Sequence, residues 1–263
     1  MNAVDSLFAE NRKHGRKAFI PFLTAGDPDL AFTERILPKV AQAGASLIEV
    51  GFPFSDPIAD GPVIQASYTR ALDTGLKLEG IFSSLSKVTA SKDWNTPTVG
   101  MVSYSLVFRH GPDKFLTAAR KAGLSGAIVP DLTAEEADDF ARRCRDHDFK
   151  LILLVTPTTP AKRAEKIVGL CTGFLYCVSI VGITGEREGV PEALRGQLDK
   201  LRAMTDLPLC VGFGVSKPDQ VKHLREIADG VIVGSALVRK LENPATAESA
   251  IVSAVTELSA ALR

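Results

Sequence analysis

Two carboxylates at the end of a predicted strand are the residues of this chain best placed to do chemistry. Glu49 lies near the end of the apolar run from Leu47 to Val50, which predicts a buried strand, and Asp60 lies on the following loop. That loop contains three prolines, two glycines and no basic residue, which indicates a fixed path rather than an ordinary solvated turn. Two carboxyl groups in different surroundings can serve as a proton donor and a proton acceptor.

Glycine-rich segments indicate a second kind of site. They are Gly182–Gly185, Gly212–Ser216 and Gly234–Leu237, and each follows a predicted strand. Glycine lets the backbone approach an anion closely, and free N–H groups at a helix start favour a dianion. Barrels often bind phosphate at the loops after their last two strands. Any one of these glycines is compatible with a plain turn, but together they predict a site for a phosphorylated small molecule.

The loop Gly182–Pro191 is rich in glycine and charge and poor in apolar residues. That composition suits a mobile lid over a site, and it equally suits an ordinary exposed loop. Both interpretations stay open.

The elements that must position these residues alternate between short apolar runs and helical patterns. Eight strands are predicted, at Ala18–Leu23, Leu47–Val50, Thr98–Val102, Ala127–Val129, Leu151–Val155, Phe174–Val178, Leu209–Val211 and Val231–Val233. The helical patterns between them include Phe32–Ala43, Pro112–Ala122, Ala134–Asp146, Ala161–Leu170, Glu192–Met204 and Lys217–Ile227. Gly44, Gly123 and Gly169 suit helix ends. The alternation predicts an α/β fold, a (β/α)₈ TIM barrel.

A doubly wound open sheet is the alternative fold. Its G-x-G-x-x-G fingerprint is missing after the first strand, where Thr24–Pro28 reads Thr-Ala-Gly-Asp-Pro. We expect residues 1–263 to form a single barrel domain with two additions. An amphipathic helix over Val4–His14 would cover the barrel bottom, and an enlarged region after strand two would hold helical stretches near Val63–Leu72 and Leu78–Ala90.

Composition excludes several classes of protein. The formal net charge is zero, and the basic cluster Arg12–Lys17 has no interleaved aromatic residues, so neither nucleic acid nor an anionic membrane is an expected partner. The four cysteines form no C-x-x-C pair and no zinc spacing, which fits a reducing cytoplasm. We expect no signal peptide at the N-terminus, and no apolar run approaches the ~20 residues that span a bilayer.

The residues missing from the strand ends also restrict the chemistry. No lysine or histidine ends a predicted strand, and Lys150 precedes strand five on the opposite rim. A Schiff-base aldolase would lack its nucleophile and a zinc aldolase its ligands. Carbon–carbon or carbon–heteroatom lyase chemistry would therefore depend on carboxylates, with Asp131, Ser179 and Ser235 as further polar residues at strand ends.

The segment Glu49–Gln65 resembles the signature of the tryptophan synthase α subunit family. Further matching segments are Phe22–Asp27, Pro130–Leu132, Gly182–Gly185, Gly212–Gly214 and Gly234–Ser235, collinear over nearly the whole chain. The resemblance implies a (β/α)₈ barrel that cleaves indole-3-glycerol phosphate to indole and glyceraldehyde 3-phosphate in tryptophan biosynthesis. It also implies an α₂β₂ complex with a β subunit that carries pyridoxal phosphate, and no cofactor or metal in this chain.

The resemblance implies a role for each matching residue. Glu49 would be the general acid and base, and Asp60 would accept the indole N–H. The implied substrate-binding residues are Phe22, Tyr176, Thr184, Gly185, Phe213, Gly214, Gly234 and Ser235, with Thr184 on the lid and the glycines and Ser235 around the phosphate. The implied contacts with the β subunit are Asp56, Pro57 and Ser105.

The chain departs from the family pattern after strand three. Ser105 stands where an asparagine is frequent, and Leu106 where a proline is frequent. Three alternatives to an α subunit stay open: a stand-alone indole-3-glycerol phosphate lyase, a catalytically silent barrel that regulates a partner, and another phosphosugar isomerase or aldolase. Intact Glu49 and Asp60 disfavour the second, and the missing lysine and histidine disfavour the third.

Overall fold

The structure is a computed structural model, and it describes residues 1–58, 60–179, 192–212 and 214–262. The predicted lid, Gly182–Pro191, lies outside the described residues, as do Thr184, Gly185 and Phe213.

The strands form one parallel sheet. In the described residues they are β1 (Ala18–Thr24), β2 (Ile48–Gly51), β3 (Thr98–Met101), β4 (Gly126–Ile128), β5 (Lys150–Ile152), β6 (Leu154–Val155), β7 (Leu175–Val178), β8 (Leu209–Gly212) and β9 (Gly230–Val233). Their order is β5-β4-β3-β2-β1-β9-β8-β7-β6, and every pair is parallel. Most strand residues are buried, as expected for parallel strands covered on both faces.

The predicted fifth strand is two short strands in the structure. Lys150–Ile152 pairs with β4, whereas Leu154–Val155 pairs with β7. Leu153 lies between them, and its N–H donates to the sulfur of Cys171 at 3.4 Å. Because β5 and β6 are consecutive in the chain, this interrupted segment joins the two ends of the sheet and completes the barrel. The TIM-barrel prediction is confirmed, with its fifth strand broken at Leu153.

Helices surround the sheet. The described residues form α1 (Ala3–Lys13), α2 (Leu30–Gln42), α3 (Pro62–Asp73), α4 (Leu78–Thr89), α5 (Tyr104–His110), α6 (Pro112–Lys121), α7 (Asp138–Asp146), α8 (Ala161–Leu170), α9 (Glu192–Arg202), α10 (Pro218–Arg225), α11 (Ser235–Val238) and α12 (Ala247–Ala260), with a 3₁₀ helix at Arg239–Glu242. No helix in this part of the chain is long and apolar enough to cross a membrane.

Most predicted helices agree with these bounds within two residues, with a few differences. Helix α7 begins at Asp138 rather than Ala134, because a turn closed by Glu136 N–H to Thr133 O (3.1 Å) precedes it. Gly44 and Gly123 follow helix ends with positive φ, as predicted, but Gly169 lies inside α8. The segment Gly234–Leu237 predicts the start of a short helix, and α11 begins there at Ser235, whereas α5 and α12 were not predicted.

Helix α1 covers the amino-terminal end of the barrel, as the sequence predicts. Val4 and Phe8 are buried among the inward-facing side chains of the strands, and the rings of Phe8 and Phe174 are 5.7 Å apart. The Asn2 side chain donates to the carbonyls of Ser125 (3.0 Å) and Asp148 (2.8 Å). This helix therefore closes the barrel floor and leaves the opposite end of the strands for a site.

Candidate active site

A cavity of about 390 Å³ opens at the carboxyl ends of the strands. The described residues that line it are Phe22, Glu49, Asp60, Gly61, Ile64, Met101, Tyr176, Gly214, Val215, Ser216, Ile232, Gly234, Ser235, Ala236 and Arg239. Among the described residues it thus brings together both predicted catalytic carboxylates, both predicted ring-binding aromatic residues and three residues of the predicted phosphate site.

Glu49 points from the barrel wall into this cavity. It lies on β2 in register with Phe22 of β1 and Val99 of β3, and it is only 1% exposed. Its Oε2 atom is buried and has no hydrogen-bond partner within the described part of the chain. Burial, and then the negative charge of Asp60, raises the pKa of the Glu49 carboxyl from its ordinary value to about 8. At neutral pH Glu49 therefore carries a proton.

Asp60 lines the same cavity, and hydrogen bonds of its backbone hold it there. Its N–H donates to Pro57 O (3.1 Å), and its carbonyl accepts from the Gln65 side-chain amide (2.7 Å). Helix α3 starts two residues later, with proline at its first position. Burial, and then the charge of Asp131, raises the pKa of Asp60 to about 6. Asp60 is hence mostly ionised at pH 7, while Glu49 is mostly protonated, so the pair holds one donor and one acceptor.

Two buried tyrosines stand beside the carboxylates. Burial is the main cause that raises the pKa of the phenols of Tyr68 and Tyr176, and the charges of Asp60 and Glu49 add to it. Both phenols therefore stay neutral at physiological pH and cannot act as bases there. Tyr68, which was not predicted, packs beside Glu49's strand rather than lining the large cavity.

Glycine is required where the aromatic side chains of this site touch the strands. A Cβ atom on Gly51 would lie 2.4 Å from Cζ of Phe22 and 2.9 Å from Oη of Tyr68. A Cβ atom on Gly212 would lie 2.3 Å from Oη of Tyr176. These contacts are far inside van der Waals separation, so the strand glycines provide the space for the aromatic walls.

Asp131 anchors a helix rather than lining the large cavity. Its carboxylate accepts from the Ser103 hydroxyl (2.6 Å) and the Tyr104 N–H (2.8 Å), at the start of α5. A carboxylate at a helix N-terminus satisfies free N–H groups and is favoured by the helix dipole. Asp131 therefore fixes the position of α5 and also influences the pKa of Asp60.

Two of the three residues expected at a partner interface belong to the loop that carries Asp60. Asp56 and Pro57 line a smaller cavity of about 30 Å³ together with Asp60 and Asp131. Ser105 is exposed on α5 and does not line either cavity. The large side chains of Ile58 and Phe108 are 87% and 68% exposed.

Sequence reasoning missed Arg239, which also lines the large cavity. It follows Ser235 by four residues across the start of a helical segment, a spacing that puts two side chains on one face and could have identified it. In the described ranges, no group of three histidine, cysteine or acidic side chains is arranged to hold a metal ion.

Comparison with known proteins identifies the family to which the chain is similar. Residues 8–262 match the family model for the tryptophan synthase alpha chain. The tryptophan synthase alpha chain of Rhodopirellula baltica is 50% identical over 242 residues, which cover 92% of this chain and 87% of that protein. The alpha chain of Methanocaldococcus jannaschii is 43% identical over 235 residues, covering 89% and 83%.

Solved structures show the same relationship. Tryptophan synthase subunit alpha from Legionella pneumophila superposes with a TM-score of 0.92 at 32% identity, over 100% of this chain and 98% of that one. A chain of tryptophan synthase from M. tuberculosis superposes with a TM-score of 0.89 at 29% identity, over 100% of both chains. The family model, the identities and the shared barrel agree, and this chain belongs to the tryptophan synthase alpha chain family.

Proposed function

We propose that this protein is a carbon–carbon lyase of tryptophan biosynthesis, which cleaves indole-3-glycerol phosphate to indole and glyceraldehyde 3-phosphate. The observation that carries the proposal is the pairing of protonated Glu49 with ionised Asp60 in one cavity, since the reaction needs an acid and an anion at once. Family membership supports the same substrate.

In the proposed mechanism, Glu49 donates its proton to C3 of the indole ring. Asp60 accepts the indole N–H and stabilises the positive charge that appears on the ring nitrogen. The bond between C3 and the glycerol carbon then breaks, its electron pair returns to the ring, and the glycerol hydroxyl becomes the aldehyde. The hydroxyl proton passes to the Glu49 carboxylate, which restores the starting state. The protonated indole is the electron sink, so this scheme needs neither lysine nor metal.

The same cavity offers surfaces for both ends of the substrate. Phe22 and Tyr176, with the apolar side chains of Met101 and Ile64, suit a flat aromatic ring. Gly214, Gly234 and Ser235 suit the phosphate, because they present backbone at a loop and at a helix start. Gly185, Phe213 and Thr184 belong to the same proposal and lie outside the described residues.

We also propose that the chain works with a tryptophan synthase β subunit in an α₂β₂ complex, with pyridoxal phosphate in the β subunit. The docking surface would include Asp56, Pro57 and Ser105, beside the exposed Ile58 and Phe108. Because Asp56 and Asp60 share one short loop and one small cavity, contact there could move the catalytic group. The four buried, unpaired cysteines fit a reducing cytoplasm.

The decisive experiment measures indole release from indole-3-glycerol phosphate by the purified chain, with and without a β subunit. We expect low activity alone and a clear rise in the complex, because docking would raise the fraction of molecules with an ordered site. Asp56→Ala should reduce that rise more than it reduces the basal rate. A matched control is Asp146→Ala, an exposed acid on α7, which should leave both rates unchanged.

Two results would change the proposal. If the isolated chain already equals the complex, the stand-alone lyase replaces the subunit. If indole glycerol without its phosphate is cleaved with the same kcat/KM as the phosphate ester, the phosphate assignment is wrong.

A further inference from the structure

Arg239 is a basic residue at the catalytic cavity, and no described residue forms an ion pair with it. Among the described residues that line the cavity, Glu49 and Asp60 are acidic and Arg239 alone is basic. Its guanidinium forms no hydrogen bond or ion pair with any residue in the described ranges. An arginine held at a cavity without a carboxylate partner is available to an anionic ligand.

Arg239 lies close in the chain to Gly234 and Ser235, at one end of the cavity. Ser235 begins α11, and Arg239 begins the 3₁₀ helix that continues from it, so the two are one helical turn apart. Residues four apart on a helix lie on one face, and both of these line the cavity. Arg239 therefore lies on the side of Ser235 and Gly234, where the substrate phosphate is proposed to bind.

The negative charge in the cavity favours a cation beside the bound phosphate. Asp60 is mostly ionised at neutral pH, so a phosphate dianion enters a cavity that already holds a negative charge. Backbone N–H groups of Gly234 and Ser235 contribute only partial positive charge. A guanidinium contributes a whole charge and presents two parallel N–H groups that match two phosphate oxygens.

We propose that Arg239 is a specificity-determining residue that binds the phosphate group of the substrate from the solvent side of the Gly234–Ser235 segment. It selects phosphorylated over neutral indole derivatives and attracts the dianion toward the cavity. This inference rests on the proposed function, because it takes a phosphate ester as the ligand.

The test compares Arg239→Gln, Arg239→Lys and the control Lys240→Gln in the complete chain. Lys240 is the adjacent cation and does not line the cavity. Calorimetry measures the Kd of glycerol 3-phosphate, glycerol and indole for each variant. Steady-state kinetics with indole-3-glycerol phosphate at several salt concentrations separates KM from kcat.

Loss of the Arg239 charge should weaken binding of the phosphate group and leave binding of the indole ring unchanged. We expect Arg239→Gln to raise the Kd of glycerol 3-phosphate and the KM about tenfold, the usual scale for one charge-assisted contact. The salt dependence of KM should become shallower, because one cation no longer contributes to attraction. Arg239→Lys should recover part of the affinity, while kcat and the Kd of indole should stay near their original values.

The outcomes separate this inference from the proposed function. If the original protein prefers glycerol 3-phosphate to glycerol and Arg239→Gln preserves that preference, the role of Arg239 is wrong and the phosphate site stands. If Arg239→Gln weakens indole as much as glycerol 3-phosphate, or Lys240→Gln has the same effect, Arg239 has no specific role. If the original protein binds glycerol and glycerol 3-phosphate equally, the proposed phosphate site itself fails.

Discussion

The Arg70 guanidinium binds the Asp27 carboxylate through two hydrogen bonds, Nε to Oδ1 at 3.1 Å and Nη2 to Oδ2 at 2.6 Å. Asp27 is 1% exposed and lies on the loop after β1, whereas Arg70 lies on α3. The Ser67 hydroxyl, one turn earlier on α3, also donates to Asp27 Oδ2. This partly buried ion pair attaches α3, which begins two residues after Asp60, to the loop that follows the strand carrying Phe22.

We expect Arg70→Ala to lower the free energy of unfolding by about 2–4 kcal/mol. The substitution would leave the Asp27 carboxylate buried without its cation, and the figure is reduced from that of a fully buried pair because Arg70 is partly exposed. Urea unfolding followed by circular dichroism measures the change. Lys87→Ala is the control, since it breaks the exposed Lys87–Glu34 pair (2.8 Å) and should cost below about 1 kcal/mol. Equal losses in the two variants would contradict a special role for the Asp27 pair.

The pH dependence of kcat/KM should be bell-shaped. The proposed mechanism requires ionised Asp60, whose pKa is about 6, and protonated Glu49, whose pKa is about 8. Activity should therefore rise as pH increases through about 6 and fall as pH increases through about 8, with both apparent values belonging to the coupled pair. Initial rates at low substrate concentration between pH 5 and 9.5 give the profile. A constant kcat/KM across that range would be incompatible with these two groups as the acid and the acceptor.

Glu49→Gln should lower kcat by about 10²–10⁴, the usual contribution of a positioned acid and base. Asp60→Asn should also cost heavily, because a neutral amide cannot stabilise the ring cation as a carboxylate does. Single-turnover measurements of indole release quantify both effects. Turnover close to that of the original protein in folded Glu49→Gln would refute the mechanism.

The same substitution should increase thermal stability at alkaline pH. The folded-state pKa of Glu49 is raised to about 8 from an ordinary value of 4.5, so the folded protein holds the proton more tightly than the unfolded chain. The resulting stability is complete below about 4.5 and is lost as pH rises toward and through about 8. Glutamine does not titrate, so the Tm of Glu49→Gln relative to the original protein should increase from pH 5 to pH 8.5. Scanning calorimetry at the two pH values checks the sign.

Gly51→Ala should impair both folding stability and catalysis. The added Cβ would meet Phe22 at 2.4 Å and Tyr68 at 2.9 Å, so the aromatic wall beside Glu49 must move. Crowding of a packed core costs about 1–3 kcal/mol, and we expect kcat/KM to fall at the same time. Gly169→Ala in α8 is the control, because a Cβ there meets nothing within 4 Å. It should gain about 0.5–1 kcal/mol with unchanged activity. Unchanged stability and unchanged kcat/KM in Gly51→Ala would show that Phe22 and Tyr68 can move aside without cost.

The strands could be predicted because burial on both faces of a parallel sheet makes them short, continuous apolar runs. The break at Leu153 could not, because it depends on a hydrogen bond from Leu153 N–H to the sulfur of Cys171, a partner that lies in another element. Helix α5 is seven residues long, too short for a clear helical period, and its start depends on Asp131. Helix α12 was missed although Ala247, Ile251, Val255 and Leu258 show a helical spacing.

Some residues of the candidate site could likewise be predicted from the sequence, and others could not. Glu49, Asp60 and Ser235 could be found because the carboxyl ends of barrel strands meet at one face. Arg239 could not be found from strand ends, because it reaches the cavity from the second turn of a helical segment. The pairing of Asp27 with Arg70 likewise depends on the path of α3 over β1, which no local pattern specifies.

The hydrogen bonds of Asn2 have a consequence for folding while the chain is being synthesised on the ribosome. Helix α1 emerges before its docking site exists, since its anchors are carbonyls 123 and 146 residues further on. At translation rates of ~5–20 residues per second, that separation corresponds to roughly 7–30 s. Throughout that interval the apolar face of Val4 and Phe8 has no barrel floor to cover, so nascent chains that stop before Asp148 should be clients of chaperones.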